Sequence, residues 1–250
     1  MFGVWAPLIW TTVFLIAIWW LSRRQAFYFL AAAYRLTHSQ DWAMALYAFF
    51  FLPGTFLHEF AHWSSAKLLG VKTAGFHVLP QWGKKGAIQL GSVNVRGGHL
   101  VEHTIIGVAP MLLGGVVTMF LSYTLVDVDA LSRSIQSEQY GSVLRVALQA
   151  FHHPDALLLL YLLFTISGSM FLSASDRAPI QQMALYLAAV LLPLYLFGLI
   201  PALPEGWTQF IGEMFAVFAS GLAVALAVHL VMTVVFFLFY LLARTLRPGG

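Results

Sequence analysis

Over residues 210–242 the chain carries one formally charged side chain, Glu213, in an otherwise uncharged and mostly apolar run. About 20 apolar residues suffice to cross the ~30 Å hydrocarbon core of a bilayer as a helix. Runs of this kind recur at residues 3–21, 43–69, 100–126, 156–174 and 180–200. Charged residues make up only 9% of the 250-residue chain, and 60% of it is hydrophobic. Soluble domains carry about 25% charged residues, so this chain cannot build a water-facing exterior. The expected fold is an all-α polytopic membrane protein of about six transmembrane helices, a single integral membrane domain over residues 1–250. Cysteine is absent, which excludes disulfides and thiolate metal sites. The few scattered Lys and Arg suit the positive-inside rule better than a nucleic-acid surface. No basic segment precedes the first apolar run and no small-residue cleavage site follows it, so it is expected as a retained span.

Finer expectations follow along the chain. Trp5, Trp10, Trp19 and Trp20 flank the first run as an interfacial belt does, and Ser22-Arg23-Arg24-Gln25 is expected to end it. Residues 26–40, interrupted by Arg35 and His38, read as an interfacial helix or the start of the next span. Within residues 43–69, Pro53-Gly54 is expected to kink or break the helix, and Gly70 to stop it. Residues 71–98 are polar and punctuated by Gly83, Gly86, Gly91, Gly97 and Gly98. They read as two or three short strands. Lipid does not tolerate a bare sheet edge, so this segment belongs at the interface or inside a protein cavity. Residues 127–154 read as a polar, partly helical connection. With the N-terminus inside, Lys and Arg divide eight to five in favour of both termini being cytoplasmic. The cell (inner) membrane is the expected location.

The chemistry lies in His58-Glu59-Phe60-Ala61-His62. Four residues apart on a helix, His58 and His62 share a face and can hold one Zn²⁺. Glu59, about 100° round the helix, can serve as the base toward an activated water. Ionisable groups are disfavoured in lipid and point to function when they occur there. Zinc needs a third protein ligand. Asp176, at the end of an apolar run, is the best candidate, with Ser173 and Ser175 near enough to orient it. Asp155, His103, Glu102 and His229 are rivals. A second arrangement, His99-Leu100-Val101-Glu102-His103, matches a reversed zinc motif but stands at the mouth of a span. It reads first as a polar lead-in to that span.

A helix-borne HExxH followed by a short glycine-rich β segment and spans with a distant aspartate resembles the site-2 protease family of intramembrane zinc metalloproteases. The resemblance covers mainly residues 43–177. It implies His58, His62 and Asp176 as zinc ligands and Glu59 as the general base. It also implies a membrane protein or peptide substrate, cleaved within or beside the bilayer. The family's usual Asn-Pro with Leu-Asp-Gly is replaced here by Leu172-Ser173-Ala174-Ser175-Asp176-Arg177, so this would be a divergent branch. A helical substrate must unwind to expose its peptide bonds, and residues 71–96 could hold it extended by strand addition. Two other readings remain at this point. One is a membrane di-iron hydroxylase or desaturase drawing on His152-His153. The other is a non-catalytic transporter or degenerate protease that binds membrane partners.

Overall fold

A computed structural model describes residues 5–77, 81–82, 88–89, 91–130, 149–199 and 204–247. Seven α-helices are present among them: α1 (Ala6–Thr37), α2 (Gln40–Phe50), α3 (Leu52–Leu68), α4 (Leu100–Leu125), α5 (Ala156–Ser169), α6 (Ala174–Leu196) and α7 (Glu205–Leu246). Four of them, α1, α4, α6 and α7, are long and apolar enough to cross a membrane. Together α2 and α3 make a fifth apolar segment, bent by 72° at a break beside Pro53. Several long apolar helices thus mark an integral membrane protein. Among the described residues the span count is four, or five with the bent pair. The run expected as a fourth span gives a shorter helix: the 14 residues of α5 end at Ser169, and about 1.5 Å per residue gives it only ~21 Å.

The first expected stop does not occur. Helix α1 runs unbroken for 32 residues, through Ser22, Arg23, Arg24 and Gln25. Arginine is a good helix former, and Arg23 and Arg24 lie over the rings of Trp19 and Trp20, one turn back, at 4.5 and 5.2 Å. Residues 26–37 therefore extend α1, which ends at His38 in a left-handed cap. Helix α7 lies alongside α1. Thr11 bonds to Phe215, Gln25 to His229 and Arg35 to Arg247. The pairing advances in the same direction on both helices, so they run parallel. Their Ala6 and Leu246 ends therefore lie at opposite ends of the pair.

Gly70 ends α3 as expected, with φ +72°. Val71 N–H donates to the Ala66 carbonyl and Gly70 N–H to that of Lys67, which satisfies carbonyls left open at the helix end. The chain then forms β1 (Lys72–His77), β2 (Gln81–Trp82), β3 (Ile88–Gln89) and β4 (Ser92–Arg96). Strands β1 and β4 pair antiparallel, Thr73 opposite Val95 and Phe76 opposite Val93, while β2 pairs with β3. Gly83, Gly86, Lys84 and Lys85 lie outside the described residues, as do Arg133, Glu138 and Arg145 from the connection at 127–154. The apolar core gathers Ile18 of α1, Leu121 of α4, Leu163 and Ile166 of α5, and Leu222 and Ala225 of α7. It holds α5 in the middle of the bundle.

Candidate metal centre

His58 and His62 lie on consecutive turns of α3, and Asp176 lies in the first turn of α6. The Nε2 atoms of the two rings are 3.2 Å apart. Asp176 Oδ1 is 3.4 Å from His62 Nε2, and Oδ2 is 3.8 Å from His58 Nε2. Among the described residues these three form the one group of His, Cys, Asp or Glu side chains whose ligand atoms converge, all within 4.8 Å.

Each ring is oriented from behind by a backbone carbonyl that has no helical donor. His58 Nδ1 is 2.8 Å from the Ser169 carbonyl. Ser169 is the last residue of α5, where helical carbonyls run out of partners. His62 Nδ1 is 2.8 Å from the Ile106 carbonyl in the body of α4. In an α-helix that carbonyl would bond the N–H four residues on. Here that residue is Pro110, which has no N–H. The proline leaves the Ile106 oxygen open for the histidine.

These bonds fix the tautomers. A carbonyl only accepts, so each Nδ1 carries the hydrogen and each neutral ring leaves Nε2 bare. Two bare nitrogens and a carboxylate then face one another, and no donor stands between them among the described residues. Three acceptors meeting in this way could hold a cation. The spacing suits a small tetrahedral one, whose ligands at about 2.0–2.1 Å stand roughly 3.3 Å apart. Donor type agrees, since imidazole and carboxylate together are ordinary zinc ligands.

Close packing sets the positions. Gly54 of α3 lies against the Thr165 carbonyl of α5, and a Cβ there would also fall 2.6 Å from Ser169 Oγ. Any side chain would push α3 from α5 and part His58 from its carbonyl. On the other side, a Cβ on Gly107 of α4 would stand 3.0 Å from the Asp176 carbonyl, so that glycine lets α6 approach. The Ser-Ala-Ser-Asp frame is a helix cap. Ser173 N–H donates to Asp176 Oδ2 at 2.8 Å, and Asp176 N–H donates to Ser173 Oγ. Ser175 bonds Ser173, at 2.7 Å, so it supports the aspartate at one remove. Asp176 lies against the two imidazole rings and makes no ion pair with Arg177.

Glu59 is 8% exposed and sits against Gly91, the residue before β4, where a Cβ would be 2.7 Å from its Oε1. Glu59 also lines a cavity of about 630 Å³ together with His58, His62, Asp176, Gly91 and Val93. The far wall comes from Ser22, Arg23 and Gln25 of α1 and from His229 of α7.

The remaining candidates are elsewhere or otherwise engaged. Glu102 accepts from His99 N–H at 2.6 Å and caps α4. His103, on the next turn, is outside the converging group. Asp155 precedes α5, where its N–H donates to His153 Nδ1. His152 ends a short 3₁₀ turn. What the sequence did not signal are the two carbonyls and Gly91, since backbone atoms leave no mark on residue type; Pro110 was the one visible trace. No family model, curated protein or solved structure matches this chain.

Proposed function

We propose that the chain is an intramembrane zinc metallopeptidase, related in design to the site-2 proteases. The observation that carries this reading is the donor-free convergence of His58 Nε2, His62 Nε2 and the Asp176 carboxylate. Those three residues would hold Zn²⁺, which when bound supplies Lewis-acid activation of water and of a peptide carbonyl. Glu59 acts as general base and acid. Its carboxylate takes the proton that the attacking water loses and gives it to the departing amine. The products are a carboxylic acid and an amine, and Glu59 returns to its starting state.

The substrate is a membrane-embedded or membrane-proximal peptide. Gly91 and Val93 border the cavity beside Glu59, and β4 has β1 on one side. An unwound substrate strand would lie along the other side of β4 and so pass the base. Val93→Pro should then impair cleavage well beyond Val93→Ala. Equal activity of the two variants would remove strand addition from the reading.

The deciding experiment is zinc quantification on the purified full chain and on His58→Ala and Asp176→Ala, with a cleavage assay on a transmembrane peptide that includes Glu59→Gln. One zinc per wild-type chain, loss of metal in the ligand variants and an inert, metal-loaded Glu59→Gln support the proposal. A wild type without zinc, or an active Glu59→Gln, overturns it.

A further inference from the structure

Gln25 of α1 and His229 of α7 are buried, at 1% and 0% exposure, in the wall of the same cavity. Buried polar groups in a membrane bundle call for an explanation, and these two take no part in the proposed chemistry. Gln25 Nε2 donates to the His229 carbonyl and to Thr233 Oγ1, each at 2.7 Å. Its Oε1 therefore faces His229 Nδ1, at 2.9 Å, and that nitrogen must carry a hydrogen. The ring's Nε2 then faces Ser167 Oγ at 3.0 Å, a hydroxyl whose one hydrogen is shared with the Leu163 carbonyl of its own helix. Both amide hydrogens and both ring nitrogens are used. Nothing is left to offer a substrate, so the network serves as scaffold rather than as a binding surface.

What it supports is the last turn of α5. Ser167 is two residues before Ser169, whose carbonyl receives His58. Between them, Gly168 lies on the imidazole, where a Cβ would be 3.2 Å from His229 Cε1. Helix ends fray first, and α5 is short and ends at this residue. A frayed turn would withdraw the Ser169 carbonyl and let the His58 ring rotate. The site's other anchor, Ile106, lies within a 26-residue helix and has no such weakness.

We infer that Gln25, His229 and Ser167 form a positioning network for His58, clamping α5 so that the Ser169 carbonyl holds the ring in its ligating orientation. This rests on the metal reading above and extends it to residues that touch no metal. Outer-shell partners of metal ligands typically govern about 10–100-fold in affinity. The probe is Co²⁺, titrated into metal-free full chain and followed by its visible d–d bands. Ser167→Ala and Gln25→Leu should weaken Co²⁺ binding about tenfold, the lower end of that range, and alter the bands. Ser167→Ala is the gentler variant, because alanine is the better helix former, and its metal-free thermal midpoint should match wild type. The decisive arm is a double-mutant cycle. His58→Gln keeps a weak ligand but loses the Nδ1 link to Ser169, so adding Ser167→Ala to it should cause no further loss. Additive losses overturn the inference. So do wild-type affinity and bands in both network variants. A wild type that takes up neither Co²⁺ nor Zn²⁺ instead brings down the metal reading, and this inference with it.

Discussion

The chain contains two sets of two histidines and a glutamate, and the fold separates them by their surroundings. His58, Glu59 and His62 lie inside α3, where the backbone N–H groups are already committed to helical bonds and the side chains must find partners elsewhere. They find two open carbonyls, Asp176 and a cavity. His99, Glu102 and His103 stand at the start of α4, where backbone N–H groups have no helical acceptor, and Glu102 is drawn to one of them at 2.6 Å. The same residue types thus converge on Asp176 in one place and form a helix cap in the other. What decides is whether the nearest unsatisfied groups are acceptors or donors.

The sharpest way to break this comparison is to exchange glutamates for glutamines. Glu59→Gln should lower the cleavage rate by about 10²–10⁴-fold, the usual contribution of a positioned acid–base group, while zinc content stays at one per chain. Glu102→Gln should leave the rate within about twofold, since a cap needs only an acceptor. Similar losses in the two variants would erase the distinction.

Metal content tests the histidines. His62→Ala should lose bound zinc on elemental analysis because only two of the three ligands remain. His99→Ala and His103→Ala should keep a full complement. Zinc lost from the second pair of variants would move the site.

Pro110→Ala separates stability from ligation. Alanine is preferred to proline inside a helix by about 3 kcal/mol, and its N–H would reclaim the Ile106 carbonyl from His62. The thermal midpoint should rise or hold while zinc affinity falls about tenfold, in the range for outer-shell partners. Unchanged affinity in a competition titration would show that His62 needs no such anchor.

The smallest effect belongs to Glu102→Ala. Loss of a helix cap costs about 1 kcal/mol, a shift of about 2–4 °C for a chain of this size. Cleavage by the folded chain should be unaltered in the same preparation.

Some of this was readable from residues alone because it depends on one-dimensional pattern. Apolar runs reported the long helices, Pro53 the break between α2 and α3, and Gly70 the end of α3. Glycine and alternation reported the β1–β4 pair. The i, i+4 spacing put His58 and His62 on one face, and the polar frame around Asp176 pointed to an oriented carboxylate. Other parts were hidden. Arg23 and Arg24 looked like the end of a span because hydropathy does not register stacking on a tryptophan one turn away. The parallel course of α1 and α7 could not be seen from charge counts, because it is set by pairings about 204 residues apart, such as Thr11 with Phe215 and Gln25 with His229. Helix α5 has the composition of a crossing helix but only 14 residues, and composition does not report where a helix ends.

By itself, the sequence determined that this chain builds apolar helices and that one of them carries two imidazoles and a carboxylate at zinc-ligand spacing. Local periodicity and the free energy of transfer into an apolar phase are enough for that. The tertiary structure alone decided that Asp176 meets those imidazoles, that Ser169 and Ile106 turn their carbonyls toward them, and that Glu59 lies against Gly91, just before β4. Those are distances between atoms far apart in the chain. They follow from packing at Gly54 and Gly107, and residue type records packing only where, as at a glycine or a proline, something has been left out.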